Sequence, residues 1–461
     1  MHLSPFIALV AWIPISLIVF WRYPSRIAIL VNFLGGWAVL PGANFPPSSD
    51  PFPYWILGVC LPTDYLITKA TIVGFAGLLG VLAFDFPSLH RFRPTWIDLP
   101  MAVWCLVPLL SAATHPATMQ QGLFGCVYQT LAWGGPWLLG RIYFAETASL
   151  LLATQAALVA ALLYVPICLL EFLKGPHLYA LLYGYEPYRL VGADRYIGFR
   201  PIGLMEDGNQ LGIWMAAATL IAVSFALHRI LPRILGIPMA GVAVILAVTT
   251  VLCQSIGSIL ILILLLPITL FQRRFVLRFT VAALILGIVA FAAIRMMGVV
   301  SLRAVAEHNR VAHALASGLK DIGRQSFGWR LARDEGHVHT ALEHPLLGSG
   351  LWYWWQNGNA RPWSLWLLVL GMYGVVGLAA FGSILFLPVI RATWSATREQ
   401  DPRIAHLRLT LAALILMVAL DNLLNGAMIL PYLLIVAGLS AHRPALRETP
   451  QAPEILSPLP A

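Results

Sequence analysis

The chain has 461 residues, 59% of them hydrophobic and only 11% charged, with a mean hydropathy of +0.80. Roughly a quarter of an ordinary globular chain is charged, so a soluble globular protein is excluded, and continuous apolar runs rather than short alternating segments exclude a membrane β-barrel. The formal charge of +9 is spread through the connecting segments, which excludes a nucleic-acid binder with one basic domain.

The apolar runs approach or exceed the roughly 20 residues that cross a bilayer as a helix. The first, PFIALVAWIPISLIVFW, follows MHLS with neither a basic flank nor a small-residue cleavage site, and reads as a retained helix. About thirteen helices are expected, at 5–21, 26–41, 64–84, 98–113, 120–139, 148–173, 209–228, 236–253, 255–272, 275–295, 364–390, 409–424 and 427–441. The fold class is therefore all-α, a polytopic membrane helix bundle. Its divisions are N-terminal transmembrane helices (1–173), a first external loop (174–208), central helices (209–295), a large and partly helical external loop (296–363), C-terminal helices (364–441) and a Pro-rich, disordered tail (442–461).

Orientation follows the basic residues of the short loops. Arg22, Arg26, Arg91, Arg93, Arg141, Arg229, Arg233, Arg273, Arg274, Arg391 and Arg398 fall on one side, and the short loops 42–63 and 114–119 opposite carry no Lys or Arg. The basic side is read as cytoplasmic, with the N-terminus outside and the C-terminus inside. Lys69, one turn into its helix, is read as snorkelling to the interface. Asp421 and Asn422 lie within a span, where polar groups face a partner or a cavity. The five cysteines, Cys60, Cys105, Cys126, Cys168 and Cys253, show no metal-ligand spacing and no disulfide framework. No metal and no cofactor are expected.

The two long external loops stand against the charge rule. The first holds Lys174, Arg189, Arg195 and Arg200, and the second Arg303, Arg310, Lys320, Arg324, Arg330, Arg333 and Arg361. Long loops translocate regardless of charge, and an anionic ligand on the outer face is the other reason to keep cations there. RLARDEGHVHTALE, from Arg330 to Glu343, reads as one helix with Arg330, Asp334, His337 and Ala341 on a single face. A carboxylate orienting an imidazole beside a guanidinium is general-base machinery, whereas the bland alternative is a solvated polar face. Pro345 ends the helix, and Gly348 and Gly350 allow close backbone approach. A tryptophan-rich run follows, with Trp352, Trp354, Trp355, Trp363 and Trp366 within 15 residues. It suits an interfacial belt or a surface on which sugar rings stack. In the first loop Glu206 and Asp207 open a helix, as caps, as a base or as a site for a cation.

The order of these segments resembles the O-antigen ligase and O-antigen polymerase superfamily of bacterial envelope proteins, over roughly residues 189–390. The carriers are Arg200-Pro201-Ile202-Gly203 with Asp207-Gly208-Asn209, then Gln254-Ser255-Ile256-Gly257-Ser258, then Arg330 with His344-Pro345-Leu346-Leu347-Gly348-Ser349-Gly350, then Gly374-Val375-Val376-Gly377. The resemblance implies glycosyl transfer on the periplasmic face of the inner membrane, from a saccharide on undecaprenyl diphosphate to a glycan or lipid acceptor, with no cofactor. It assigns the donor diphosphate to Arg200, Arg330, Arg333 and Arg195. Ligases of the family carry His eleven residues before the first glycine of the last motif, where this chain has Trp363, and the basic residue usual after the serine is Ile256 here. Trp363 cannot accept a proton. The substitutes for a base are His337, His339, Asp334, Glu206 and Asp207, with Trp352, Trp355 and Trp363 as sugar-contacting surfaces. The expected function is polymerisation of lipid-linked oligosaccharide repeats, for O-antigen or exopolysaccharide. The alternatives are an O-antigen ligase, a protein O-glycosylating relative, a lipid-linked-sugar flippase or other transporter, and a non-catalytic member of an export complex. A chain-length regulator and a flippase are the expected partners.

Overall fold

The structure is a computed structural model and describes residues 2–44, 66–114, 119–187, 194–195, 197–270, 273–297, 326–355, 361–426 and 428–441. The side chains of Arg195, of 326–329 and of Leu331 lie outside that description. So do Arg189, Arg303, Arg310, Lys320, Arg324, Cys60 and the tail 442–461, together with most of the loop 42–63.

The chain is mostly helical. In order, the helices are α1 (Pro5–Arg22), α2 (Ser25–Val39), α3 (Lys69–Phe84), α4 (Trp96–Ala113), α5 (Met119–Gln129), α6 (Gly135–Tyr143), α7 (Thr147–Lys174), α8 (Leu178–Tyr183) and α9 (Gly208–Leu227). They continue as α10 (Met239–Leu252), α11 (Ile256–Leu270), α12 (Arg274–Met297), α13 (Ser326–Glu335), α14 (Val338–Ala341), α15 (Leu365–Ala396), α16 (Pro402–Asp421) and α17 (Tyr432–Ala441). A π-helical turn, Thr130–Gly134, joins α5 to α6, and another, Val31–Gly35, lies inside α2. A further four-residue helix, Phe86–Leu89, follows α3, and there are two two-residue antiparallel ladders: Asp194–Arg195 with Gly198–Phe199, and Arg233–Ile234 with Ile237–Pro238.

Seven of these helices (α1, α4, α7, α9, α12, α15 and α16) are long and apolar enough to cross a membrane, and five more apolar helices are shorter. Length and composition therefore support seven spans among the described residues; with the five shorter helices the total is twelve, and the expected thirteen are not confirmed.

Apolar helices differ here in what they touch. In α9 and α16, 83% of the most apolar window is buried, against 17% in α1 and α12. A helix apolar on every side that is also buried is a central one, so α9 and α16 form the centre with α17 beside them, while α1 and α12 are peripheral. A bond between the hydroxyls of Ser224 in α9 and Thr410 in α16 ties the central pair. Asn32 joins the first three helices, its carbonyl accepting from Trp12 at 3.0 Å and Ser16 at 2.8 Å and its amide donating to the Val73 carbonyl at 2.9 Å. Buried polar groups need such partners.

α15 is broken. Gly374 takes φ +63° and ψ −165° inside it, and the segment from Pro345 to Gly350 fills the break. Val375 and Val376 donate their N–H groups to the carbonyls of Pro345 (2.8 Å) and Leu346 (3.1 Å), while Ser349 and Gly350 donate to those of Gly371 (3.0 Å) and Met372 (2.9 Å). The groups freed by the kink are thus satisfied by a neighbouring turn, the condition for interrupting a helix in an apolar setting. The expected terminal turn after Pro345 therefore has its partner in this chain's own α15.

Candidate functional site

The first loop is held from below by α7. Glu171 accepts from the N–H groups of Ile202 (2.8 Å) and Gly203 (2.6 Å), and the Tyr164 hydroxyl accepts from Leu204 N–H (2.8 Å) while donating to the Ala38 carbonyl (2.9 Å). Gly203 sits at φ +64°, and a Cβ there would lie 2.5 Å from the Tyr164 ring. The turn is therefore reserved for glycine, and it fixes where Arg200 begins. The Arg200 guanidinium crosses the mouth of α9 and donates to the Asn209 carbonyl oxygen at 2.8 Å; the Asn209 amide donates in turn to the Asp207 carboxylate at 2.8 Å. A Cβ on Gly208 would lie 2.6 Å from Arg200 Nε. Asp207-Gly208-Asn209 thus has a physical reading: the glycine leaves room for the guanidinium, and the asparagine links it to the half-buried acid.

Glu206, adjacent in sequence, serves another partner. It forms an ion pair with Lys69 of α3, both side chains about 1% exposed, and Lys69 lies 4.1 Å from the centre of the Trp37 ring. The snorkelling expected of Lys69 is overturned, because its ammonium turns inward to a carboxylate brought by the first loop. Gln254, Ser255 and Ser258 support the same loop. Gln254 donates to the Phe199 carbonyl at 3.3 Å, and Ser255 packs so closely on α9 that a Cβ on Gly212 would meet it at 2.3 Å. Cys168 and Cys253, far apart in sequence, are neighbours beneath it.

The second loop departs from the single expected helix. α13 ends at Glu335, and His337 precedes α14 with its N–H on the Asp334 carbonyl at 3.1 Å. Gly336, at the break, favours a helix less than any residue but proline. Arg330, Asp334, His337 and Ala341 are nevertheless all buried. Arg330 donates to the side-chain oxygen of Asn425, whose amide donates to Asp421 at 2.6 Å. Arg333 donates to the Arg361 carbonyl at 2.6 Å. Three guanidinium groups gather about one indole: the carbons of Arg361, Arg330 and Arg333 stand 5.0, 5.3 and 5.9 Å from the Trp363 ring centre. That is cation–π range.

Asp334 is engaged at the start of another helix. Its carboxylate accepts from the Trp363 N–H at 2.6 Å, from the Ser364 N–H and from the Ser364 hydroxyl, at the start of α15. It caps a helix from a distance. Burial pushes its pKa up, and the hydrogen bonds from Ser364 and Trp363 and the nearby charge of Arg295 pull it back part of the way. Arg295, in the last turn of α12, is itself 4% exposed. The His337 ring stands edge-on to Trp354 at 6.3 Å, and His339 is exposed. Trp352 and Trp355 are buried edge to face at 5.2 Å, so they build the wall of the loop rather than offering open ring faces to a sugar. Trp363 is half-buried under the arginines.

Both loops emerge at the same end of the bundle. α9 and α16 run antiparallel, joined at Ser224 and Thr410. At about 1.5 Å per residue, Asp421 lies as far beyond Thr410 as Ile213 lies from Ser224, so the Asp421–Asn425–Arg330 relay sits level with the first turns of α9. Trp214 in α9 also meets Tyr432 at the start of α17. Arg200 and Asp207 therefore share an end of the protein with the arginines around Trp363. Among the described residues, no three His, Cys, Asp or Glu side chains come together as a metal site.

Sequence reasoning missed Arg295, Asn425 and the special place of Arg361. An arginine and an asparagine beside apolar helices are costly, and that signal was available for Arg295 and Asn425. For Arg361 the sequence offered only one loop cation among many. No protein-family model and no curated protein matches the chain.

Proposed function

We propose that the protein is a membrane glycosyltransferase that polymerises oligosaccharide repeats carried on undecaprenyl diphosphate, on the periplasmic face of a bacterial inner membrane. The observation that carries this reading is the gathering of Arg330, Arg333 and Arg361 on Trp363, at the end of the bundle that also holds Arg200, Asn209 and Asp207. The guanidinium groups bind the diphosphate of the donor. As the acceptor hydroxyl attacks the anomeric carbon, the carbon–oxygen bond to the diphosphate breaks, and fixed guanidinium donors stabilise the negative charge that collects on the leaving group.

Of the proposed bases, Glu206 is tied to Lys69, Asp334 is occupied as a cap, and His337 is buried against Trp354. Asp207 is half-exposed, held by Asn209 and one residue removed from Arg200's partner. It takes the acceptor's proton; with lipid diphosphate as leaving group, a weak base suffices. Trp363, with no proton-accepting atom, favours a polymerase over a ligase.

The test is the full-length protein reconstituted in lipid with the host's lipid-linked repeat unit, the products resolved on a gel. A ladder from the wild type and its loss, by about 100-fold or more, in Arg330→Ala are expected. An intact, membrane-inserted protein that makes no ladder from its native donor would overturn the reading.

A further inference from the structure

Below the arginine cluster the helices part. Between α12 and α15, closed above by the end of α16, lies a cleft of about 340 Å³. Its walls are small or apolar: Ala292 and Ala293 on one side, Ala379 and Gly382 on the other, with Trp366 and Asn422 at its outer end. The residues that hold α12 to the bundle explain the gap. Leu277, Val281, Ile288 and Arg295 are its buried positions, spaced four, seven and seven apart, which is one narrow stripe along a helix. At the inner end Arg278 clasps α15 through Thr397, at 3.0 Å from its Nε, and lies 4.0 Å from the Trp394 ring centre. Held along one stripe, α12 leaves an apolar channel beside it.

The channel runs into the charged site. Asn422 lies three residues before Asn425, which holds Arg330; Trp366 lies three residues after Trp363, under the three guanidinium groups; and Arg295 lies between Ala292 and Met296 of the wall. The geometry points to this cleft as the seat of the polyprenyl chain of a polyprenyl diphosphate, with the diphosphate at the arginines. This rests on the transfer reading above and adds where the donor's lipid lies. Charge complementarity selects the occupant, since four arginines gather at one end of a single apolar channel. An ordinary phospholipid offers one phosphodiester charge and two acyl chains; a polyprenyl diphosphate offers a doubly charged head and one chain.

Binding to the purified full chain in detergent is measured by native mass spectrometry with three probes: undecaprenyl diphosphate, geranyl diphosphate and phosphatidylglycerol. Ala379→Phe and Ala293→Phe fill the cleft from opposite walls, are apolar for apolar, and are compared with the wild type at unchanged melting temperature. Each is expected to weaken undecaprenyl diphosphate at least tenfold, about 1.4 kcal/mol or the burial of about two methylenes, while binding of the short-chain geranyl diphosphate stays the same. Equal binding of undecaprenyl diphosphate by all three proteins overturns the proposal. Phosphatidylglycerol held as tightly, with the same losses in the variants, overturns it too, by making the occupant a bulk lipid. The two readings fail separately. Cleft-dependent binding without any polymer removes the polymerase and leaves the lipid seat, whereas polymer from the wild type with undiminished binding in both variants removes the lipid seat alone.

Discussion

Two acids near one another in function are expected to behave differently on substitution. Asp207 is the N-cap of α9 but makes no capping bond with its side chain, so Asp207→Asn removes little from the fold. Its stability is expected within about 0.5 kcal/mol of the wild type, as for surface changes away from special features, with turnover down about 100-fold, the scale of a lost general base. Asp334→Ala is the reverse case. It strips the partners from Trp363 N–H and the Ser364 groups, and costs about 2 kcal/mol, in the range of a lost cap or an orphaned buried donor. Thermal unfolding in detergent beside a kcat measurement separates them. Normal turnover in Asp207→Asn would remove it as the base. Sequence showed that both were acids in the long loops; it hid the division of labour, because the cap bonds of Asp334 reach residues some thirty positions onward.

At the scale of elements, the fit of the 345–350 turn into the break of α15 decides whether the outer half of that helix holds Trp363 and Trp366 in place. Gly348 lies at φ +68°, and a Cβ on it would stand 2.3 Å from the Met372 backbone; one on Gly374 would stand 2.3 Å from that of Leu346. These contacts involve backbone on both sides, so no side chain can move to relieve them. Gly348→Ala and Gly374→Ala are each expected to cost more than about 2 kcal/mol, since left-handed strain alone is of order 1–2. Gly287→Ala in α12 has nothing within 4 Å of its new Cβ and should be neutral or stabilising by up to about 1 kcal/mol. Melting temperatures of the three variants check this, and a Gly348→Ala protein as stable as Gly287→Ala would contradict the described packing. Pro345, Gly348 and Gly350 were legible as a turn. Their receptor was not, because 364–390 reads as one apolar run and a single Gly inside such a run is an ordinary helix residue by composition. The same ambiguity hid the end of α13 at Gly336.

For the whole molecule, apolar runs made the helical class legible, since a helix long enough to cross a bilayer demands continuous hydrophobicity. They did not show which helices are central: α1 and α9 are similarly apolar, and only packing makes one peripheral and the other core. Nor did they show what joins the N-terminal helices to the external site. Lys69 is the first residue of its apolar helix, where snorkelling is the economical reading of a single sequence, and Glu206 is a distant loop acid. In the folded protein they are one buried ion pair, which fixes α3 and α2 to the segment carrying Arg200 and Asp207. Removing one partner of a buried pair leaves an uncompensated charge and costs about 3–5 kcal/mol, whereas replacing both with uncharged groups of similar size is often close to neutral. Lys69→Met and Glu206→Gln are therefore expected each to lower stability by that amount and to lower turnover, because the loop loses its anchor to the bundle. The double variant is expected to recover most of the stability, and its turnover reports how well an uncharged contact still positions Arg200. A double-mutant cycle on melting temperature and polymer yield makes the measurement. Strictly additive losses would mean that Lys69 and Glu206 act independently, and the N-terminal helices would then have to be tied to the site by the Tyr164 and Glu171 contacts alone.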